Sequence, residues 1–204
     1  MNSSNPLQRP FSYRFYNATI VLIVINVAVY LLNMAAPRSQ VYLALIPQLV
    51  LRRGYFWQIV TYMFVHGGTM HILFNMLGLF IFGIQLERKM GSNEFLLFYM
   101  ITGIGTGFFS LLLGINVVGA SGAIYGLLLA FATYFPNSRI FIFGLLPLPA
   151  PFAVVLFAAL SLFYQFTGTM GGIAHLAHLA GLVIGFLYFV VRLGINPIRV
   201  FLHR

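Results

Sequence analysis

The feature that most constrains this chain is a series of six apolar runs separated by short polar connections. A helix that crosses a bilayer needs about 20 mostly apolar residues, and the runs approach that length. They are Tyr16–Met34, His71–Leu86, Phe95–Leu113, Ser121–Phe135, Ala150–Phe166 and Gly172–Leu193. The second and fourth are short, which suggests that they begin below the membrane surface. We predict an all-α, polytopic membrane protein with six transmembrane helices.

Composition agrees with this prediction. Hydrophobic residues make up 61% of the chain and charged residues only 6%, whereas about 25% of a soluble domain is charged. Lipid must therefore be the solvent for most of the exterior. The formal net charge of +9 does not predict a nucleic-acid partner, because the basic residues stand singly or in pairs between apolar runs and form no basic face.

The distribution of basic residues predicts that both termini are cytoplasmic. The residues then inside are Arg9, Arg14, Arg88, Lys89, Arg139, Arg192, Arg199 and Arg204, and those outside are Arg38, Arg52 and Arg53. Residues 1–15 would form a short cytoplasmic N-terminus, residues 16–193 the six-span domain with an outer loop at 37–65, and residues 194–204 a cytoplasmic tail. The first run could instead be a signal peptide. Its length and its Asn26 and Asn33 favour an uncleaved span.

Two missing residue types limit the chemistry. The chain has no Cys, which excludes disulfides, thiolate nucleophiles and Cys-ligated metals. It has no Asp either, and its only acidic residues are Glu87 and Glu94. A paired-aspartate protease and a Ser-His-Asp triad are therefore impossible, and no His-Glu-x-x-His zinc motif is present.

Polar side chains at membrane depth are costly and are functional candidates by default. A first polar cluster, His66 to Asn75, lies at the entry to the second run. Within it, His71 and Asn75 are four residues apart, so they share one face of a helix. The alternative is that both are ordinary helix-entry residues.

A second cluster, Gly119 to Gly126, opens the fourth run. Small residues at this density are also typical of close helix packing in lipid. The catalytic interpretation places Ser121 at a helix N-terminus, where free backbone N–H groups favour negative charge.

The third cluster, Ala174 to Gly185, lies early in the sixth run. Its Gly181 and Gly185 form a Gly-xxx-Gly pair that admits a neighbouring backbone, and His178 points to the same face. A zinc site made by His175 and His178 with His66 or His71 is an alternative. It is disfavoured, because no carboxylate is available to orient the imidazoles.

The predicted topology brings the three clusters together. The second, fourth and sixth spans all run from outside to inside, and each cluster lies in the N-terminal part of its span. His178 is about 9 Å into its span at about 1.5 Å rise per residue. We therefore expect one site in the outer part of the membrane.

These residues closely resemble the rhomboid family of intramembrane serine proteases, from about Trp57 to Gly185. Three motifs in the family's order carry the resemblance: His66-x4-His71-x3-Asn75, Gly119-x-Ser121-Gly122 with Tyr125, and Ala177-His178-x2-Gly181-x3-Gly185. Each motif is modest alone, but the ordered set on alternate spans is specific. The resemblance implies a six-helix rhomboid-like bundle without an added domain.

The resemblance also implies roles for the site residues. Ser121 would be the nucleophile and His178 its general base, with no third acid. His71 and Asn75, with the Ser121 backbone N–H, would form the oxyanion hole. The supporting residues implied are His66 for the preceding loop, Gly119 beside the nucleophile, Tyr125 against the His178 ring, and Gly181 and Gly185 for helix packing.

Three further positions need separate interpretation. The family's catalytic His follows Ala and precedes Gly by three, which selects His178; His175 lies about 300° round the helix and would be a neighbour. Trp57 matches the family's Trp-Arg pair, but Gln58 stands where Arg is expected, so the anchoring of the outer loop is left open. Glu87 matches an acidic position with a structural role.

The function implied is an intramembrane serine endopeptidase of the cell (inner) membrane. Its partners would be membrane lipid and single-span transmembrane substrates cut near the outer face, with no cofactor, no metal and no nucleic acid; the oligomeric state is open. Two alternatives remain at this point. One is a catalytically inactive rhomboid-like protein that binds transmembrane helices, and the other is a small transporter.

Overall fold

The structure is a computed structural model that describes residues 8, 11–142, 144–168 and 175–203. Four residues named above lie outside the described part of the chain: Arg9, Arg204, and Gly172 and Ala174 at the start of the last run. A helix occupies the described part of every predicted apolar run, and the prediction of a helical membrane bundle is confirmed.

The helices and strands follow one another along the chain as follows. The first span is α1 (Ala18–Ala35), and the outer connection holds α2 (Ser39–Leu43), α3 (Pro47–Arg53), α4 (Gln58–Thr61) and a 3₁₀ turn (Tyr62–Phe64). Then come α5 (Thr69–Gly78), a π-helical segment (Leu79–Gly83), α6 (Ile84–Met90), α7 (Ser92–Leu112) and α8 (Ser121–Tyr134). The last elements are β1 (Arg139–Ile142), β2 (Leu146–Pro149), α9 (Ala150–Thr167), α10 (His175–Val191) and α11 (Pro197–Leu202).

Helix length corrects one expectation. Among the described residues, four helices are long and apolar enough to span a bilayer by length and composition: Ala18–Ala35, Thr69–Met90, Ser92–Leu112 and Ala150–Thr167. The second run was expected to be short, but its helix has 22 residues, since it begins before the apolar run and continues through the charged residues that follow Leu86. The fourth is short as expected, with 14 residues in α8.

Helix α8 lies at the centre of the bundle, because it is packed on nearly every side. Its residues from Gly126 to Thr133 are all buried. On the α10 side the two backbones touch: a Cβ on Gly181 would lie 2.0 Å from the carbonyl oxygen of Gly122, and one on Gly185 would lie 3.2 Å from Gly126 Cα. Only glycine permits that approach, which fixes the register between α8 and α10.

The outer connection is folded around Gln58, whose side chain is completely buried. Its amide oxygen accepts from the Ile46 backbone N–H at 3.0 Å, and its amide nitrogen donates to the carbonyls of Val41 at 2.9 Å and Tyr42 at 3.2 Å. The Trp57 indole adds a bond to the Tyr42 carbonyl at 2.8 Å. The anchoring that the sequence left open is therefore supplied by a neutral amide that ties α4 to the α2–α3 segment.

Both carboxylates are engaged at the end of the bundle where α6 meets α7. Glu87 is buried and accepts from the backbone N–H groups of Ala18 and Thr19, at 2.6 and 2.9 Å, so it caps the N-terminus of α1 from another helix. Negative charge is favourable at a helix N-terminus. Glu94 accepts two 3.0 Å bonds from the Arg192 guanidinium and one from the Tyr188 hydroxyl.

The two-stranded hairpin was not expected from the sequence. Strands β1 and β2 pair antiparallel, with Arg139 opposite Pro149, in the connection between the fourth and fifth runs. Phe141 and Leu146 are exposed on it. Prolines suit an edge strand that has no further partner, and the hairpin is a small addition to a bundle that is otherwise helical.

Candidate active site

Ser121 and His178 meet at the contact between α8 and α10. Ser121 is the first residue of α8, and His178 lies in the first turn of α10. The Ser121 Oγ and the His178 Nε2 are 2.8 Å apart. That is the hydrogen-bonding distance at which an imidazole can remove a proton from a hydroxyl. Both side chains are only partly buried, so a reacting group can approach them.

The backbone before Ser121 turns at Gly119, which has a φ of 103°. Its N–H donates to the Tyr62 carbonyl at 2.9 Å, and two residues earlier Val117 pairs with Leu45 of the outer connection. A Cβ on Gly119 would lie 2.7 Å from the His71 Cε1 and Nε2 atoms. Glycine is required at position 119 for two reasons: the backbone is left-handed, and the His71 ring lies where a Cβ would be.

His71 lies on α5 with its Nε2 edge against this turn. Its Nδ1 accepts from the Gly67 backbone N–H at 3.3 Å, which assigns the proton of a neutral ring to Nε2. A donor therefore points towards the segment from Gly119 to Ser121. Asn75, one turn along, is buried and donates to the His71 carbonyl at 2.7 Å, while its Oδ1 finds no partner among the described residues.

His66 supports this side of the site from the loop before α5. Its ring is 3% exposed and stands edge-on to the His71 ring, with centroids 5.1 Å apart. Burial, and secondarily the nearby His71, lowers the pKa of His66 to about 4. The ring is therefore neutral at ordinary pH and fills space between the loop and Gly119.

Two rings flank the His178 imidazole. Tyr125 stacks on its face with centroids 4.4 Å apart and planes 12° from parallel, and His175 approaches at 6.1 Å and nearly at right angles. The His178 Nδ1 and the His175 Nε2 have no hydrogen-bond partner among the described residues. In the same part of the chain, no three His or Glu side chains are grouped so that they could hold a metal.

Sequence reasoning missed two residues of α9 beside the site. The Ser161 hydroxyl, almost fully buried, lies 3.1 Å from the Tyr125 hydroxyl, and the Tyr164 ring lies 5.6 Å from the His175 ring. The available signal was Ser161 itself, a polar residue inside an apolar run, which the cost of intramembrane polar groups marks as a candidate.

Comparison with known proteins places this arrangement in a family. The model of the Rhomboid domain matches residues 53–195. The chain belongs to the rhomboid family. The matched region contains α5, α8 and α10, and with them every residue of the three motifs. A rhomboid bundle therefore surrounds the contact between Ser121 and His178.

Several relatives of this rhomboid chain are known. It is 36% identical over 134 residues to RHOMBOID-like protein 4 of Arabidopsis thaliana, covering 64% of this chain and 32% of that protein. It is 36% identical over 140 residues to the putative rhomboid protease YdcA of Bacillus subtilis, covering 66% of each. It is 28% identical over 175 residues to the rhomboid protease GlpG of Haemophilus influenzae, covering 83% of this chain and 88% of that protein. The chain spans a third or less of the plant relatives in this comparison.

Proposed function

We propose that this rhomboid is an intramembrane serine endopeptidase in which Ser121 is the nucleophile and His178 the general base. The observation that carries the proposal is the 2.8 Å contact between the Ser121 Oγ and the His178 Nε2, made by residues 57 apart in the sequence. Two relatives named as rhomboid proteases, from Haemophilus influenzae and Yersinia pseudotuberculosis, align with most of the chain.

The reaction would proceed by acyl transfer. His178 takes the proton from the Ser121 hydroxyl as the oxygen attacks the scissile carbonyl, and then gives that proton to the leaving amine. The same imidazole then takes a proton from water, which attacks the Ser121 ester; the ester C–O bond breaks, the proton returns to the Ser121 oxygen, and the acid product leaves. A general base of this kind typically contributes about 10²–10⁴-fold to the rate. Glu87 and Glu94 are bound to α1 and to Arg192, so a dyad without a third acid fits the described residues.

The developing oxyanion would be stabilised from α5 and from the start of α8. The proton assigned to the His71 Nε2 is directed at the Gly119 turn, and the Ser121 backbone N–H is free at the first position of a helix. Asn75 has one amide hydrogen beyond its bond to the His71 carbonyl. Removing one such donor typically costs about 10²–10³-fold in rate.

The substrate we infer is a single-span transmembrane protein. Its helix must unwind locally to present a carbonyl, because all its backbone groups are otherwise bonded internally. The cut would fall near the outer membrane face, since the distribution of basic residues predicts that both termini are cytoplasmic and that the N-terminal ends of α5, α8 and α10 face outside. The cell membrane is the location that this topology implies.

The two alternative functions predict different outcomes. A rhomboid-like protein that only binds transmembrane helices has no use for a hydrogen-bonded serine and imidazole. A transporter needs polar groups along its whole path, but α8 inward of Tyr125 is apolar as far as Ala132. Neither alternative accounts for the Ser121–His178 contact.

Purified wild-type protein and Ser121→Ala, each in liposomes with a panel of single-span proteins, test the proposal. We expect wild-type protein to release fragments whose masses place the cut near the outer end of the span. Ser121→Ala should release none while unfolding at a similar temperature. Cleavage by purified Ser121→Ala would refute the assigned nucleophile, and a wild-type protein that binds the substrates without cutting any would favour the helix-binding alternative.

A further inference from the structure

Within the described residues, the orientation of the His178 imidazole depends on contacts to the ring itself. In a Ser-His-Asp triad, the carboxylate bound to that nitrogen holds the imidazole in its working orientation. Here the His178 Nδ1 has no hydrogen-bond partner among the described residues. Contacts to the face and the edge of the ring, made by Tyr125 and His175, must therefore restrain it.

Both of these flanking rings are backed by α9, a helix that contributes no reacting group. The Ser161 hydroxyl bonds to the Tyr125 hydroxyl at 3.1 Å, and the Tyr164 ring tilts against His175 at 5.6 Å. Ser161 and Tyr164 are three residues apart, so they lie on the same face of α9. The contacts form a closed circuit from α9 through Tyr125, His178 and His175 back to α9.

The chemistry of Ser161 supports a specific role. Its side chain is 1% exposed inside an apolar helix, where an unpaired hydroxyl is unfavourable. The Tyr125 hydroxyl satisfies it, and the same bond fixes the tyrosine ring that stacks on His178. Tyr164 contacts His175 through its ring, so its contribution depends on an aromatic side chain and not on its hydroxyl.

We propose that Ser161 and Tyr164 are positioning residues that hold the His178 imidazole against Ser121, acting through Tyr125 and His175. This inference rests on the proposed function and deepens it. The position of α9 sets the orientation of the general base, so a displacement of α9 weakens the Ser121–His178 contact without moving either helix that carries the reacting pair.

Four variants and two controls test this in purified protein in liposomes. Ser161→Ala removes the hydroxyl at this position, whereas Ser161→Thr keeps one. Tyr164→Leu removes the ring and Tyr164→Phe retains it. Ser110→Ala is the matched control for serine, because Ser110 is fully buried on α7 and its hydroxyl donates to the Thr106 carbonyl of the same helix. Phe166→Leu, at a highly exposed position on α9, is the control for loss of a ring.

Three quantities are measured for each variant: the rate at which a fluorophosphonate labels Ser121 from pH 5.5 to 8.5, kcat and KM for a single-span substrate, and the unfolding temperature. Loss of a neutral hydrogen bond corresponds to about 3- to 10-fold in rate, so Ser161→Ala should lower kcat and labelling by that factor with KM changed less than about 2-fold. Tyr164→Leu should lower kcat and the labelling rate by a similar factor, also with little change in KM. Ser161→Thr, Tyr164→Phe and both controls should keep wild-type rates.

A double variant identifies the route. If Ser161 acts through Tyr125, then adding Ser161→Ala to Tyr125→Phe should lower labelling no further than Tyr125→Phe alone, because the shared bond is already absent. Multiplicative effects would overturn the proposed route. If Ser161→Ala and Ser110→Ala lost equal labelling rate, and the loss followed the fall in unfolding temperature, Ser161 would have only a structural role. Failure of wild-type protein to label or to cleave would overturn the proposed function and this inference with it.

Discussion

The ring of Tyr125 lies parallel to the imidazole of His178, with their centroids 4.4 Å apart. The two residues belong to different helices, α8 and α10, and the stack lies beside the hydrogen bond from His178 to Ser121. Aromatic stacking restrains the orientation of a ring as well as contributing about 0.5–1.5 kcal/mol.

The two histidines of α10 have different expected roles. Of these two histidines, His178 is the one bonded to Ser121, so His178→Ala should lower the cleavage rate by about 10²–10⁴-fold, the typical contribution of a general base. His175→Ala removes a flanking ring and should retain measurable activity. The measurement is the rate of cleavage of one single-span substrate by each purified variant. An inactive His175→Ala together with an active His178→Ala would exchange the two roles.

Gly181 controls the distance between α8 and α10. A Cβ at this position would lie 2.0 Å from the Gly122 carbonyl oxygen, so Gly181→Ala must push the helices apart. A displacement near 1 Å can cost about 10²-fold in rate, and overpacking of this kind destabilises by about 1–3 kcal/mol. Cleavage rates and unfolding temperatures of the variant measure both effects.

Gly68→Ala is the matched control for Gly181→Ala. A Cβ on Gly68 would meet nothing within 4 Å, and its φ of 170° is extended backbone that alanine also adopts. We expect its stability to stay within about 0.5 kcal/mol of wild type. If Gly181→Ala were equally neutral, the close approach of the two backbones would not be what fixes the distance between Ser121 and His178.

Gln58 is expected to stabilise the outer connection. Gln58→Ala leaves the Ile46 N–H and the Val41 carbonyl without their bonds to its amide, and buried unpaired groups should lower the free energy of unfolding by about 2–4 kcal/mol in total. Trp57→Phe removes a single bond from an exposed side chain and should cost about 1 kcal/mol or less. Denaturant titration in detergent compares the two, and a larger loss for Trp57→Phe would contradict the role given to Gln58.

His66 should make stability depend on pH. Burial lowers the pKa of the folded ring to about 4, whereas an unfolded histidine has a pKa of about 6.5. The unfolded state therefore binds the proton first, so the stabilisation is complete above pH ~6.5 and is lost as the pH falls towards 4. Between pH 7 and 5, we expect wild-type protein to lose on the order of 1–2 kcal/mol more than His66→Phe. Parallel stability curves for the two proteins would contradict this.

Much of the architecture could be predicted from sequence, because hydropathy reports directly on the solvent that each segment meets. The six apolar runs, the exclusion of acid triads and the three polar clusters followed from residue types and spacing, whereas the roles of the site residues came from the resemblance to the rhomboid family. The helix ends were less accurate: the second span extends from Thr69 to Met90, since charged residues such as Glu87 continue a helix when their side chains find partners. The hairpin from Arg139 to Pro149 was not predicted, because its strands of four residues are too short to show a clear alternation of polar and apolar residues.

The sequence by itself determined that lipid surrounds this protein, that each apolar run is helical, and that Ser121 and His178 lie near the N-terminal ends of their helices. Only the tertiary structure decided that these two side chains touch, that Gln58 holds the outer connection, and that Ser161 and Tyr164 support the site from α9. Hydropathy and helical period specify how each helix faces its surroundings. The register and rotation between helices depend on contacts such as Gly181 against Gly122, which no pattern along a single segment contains.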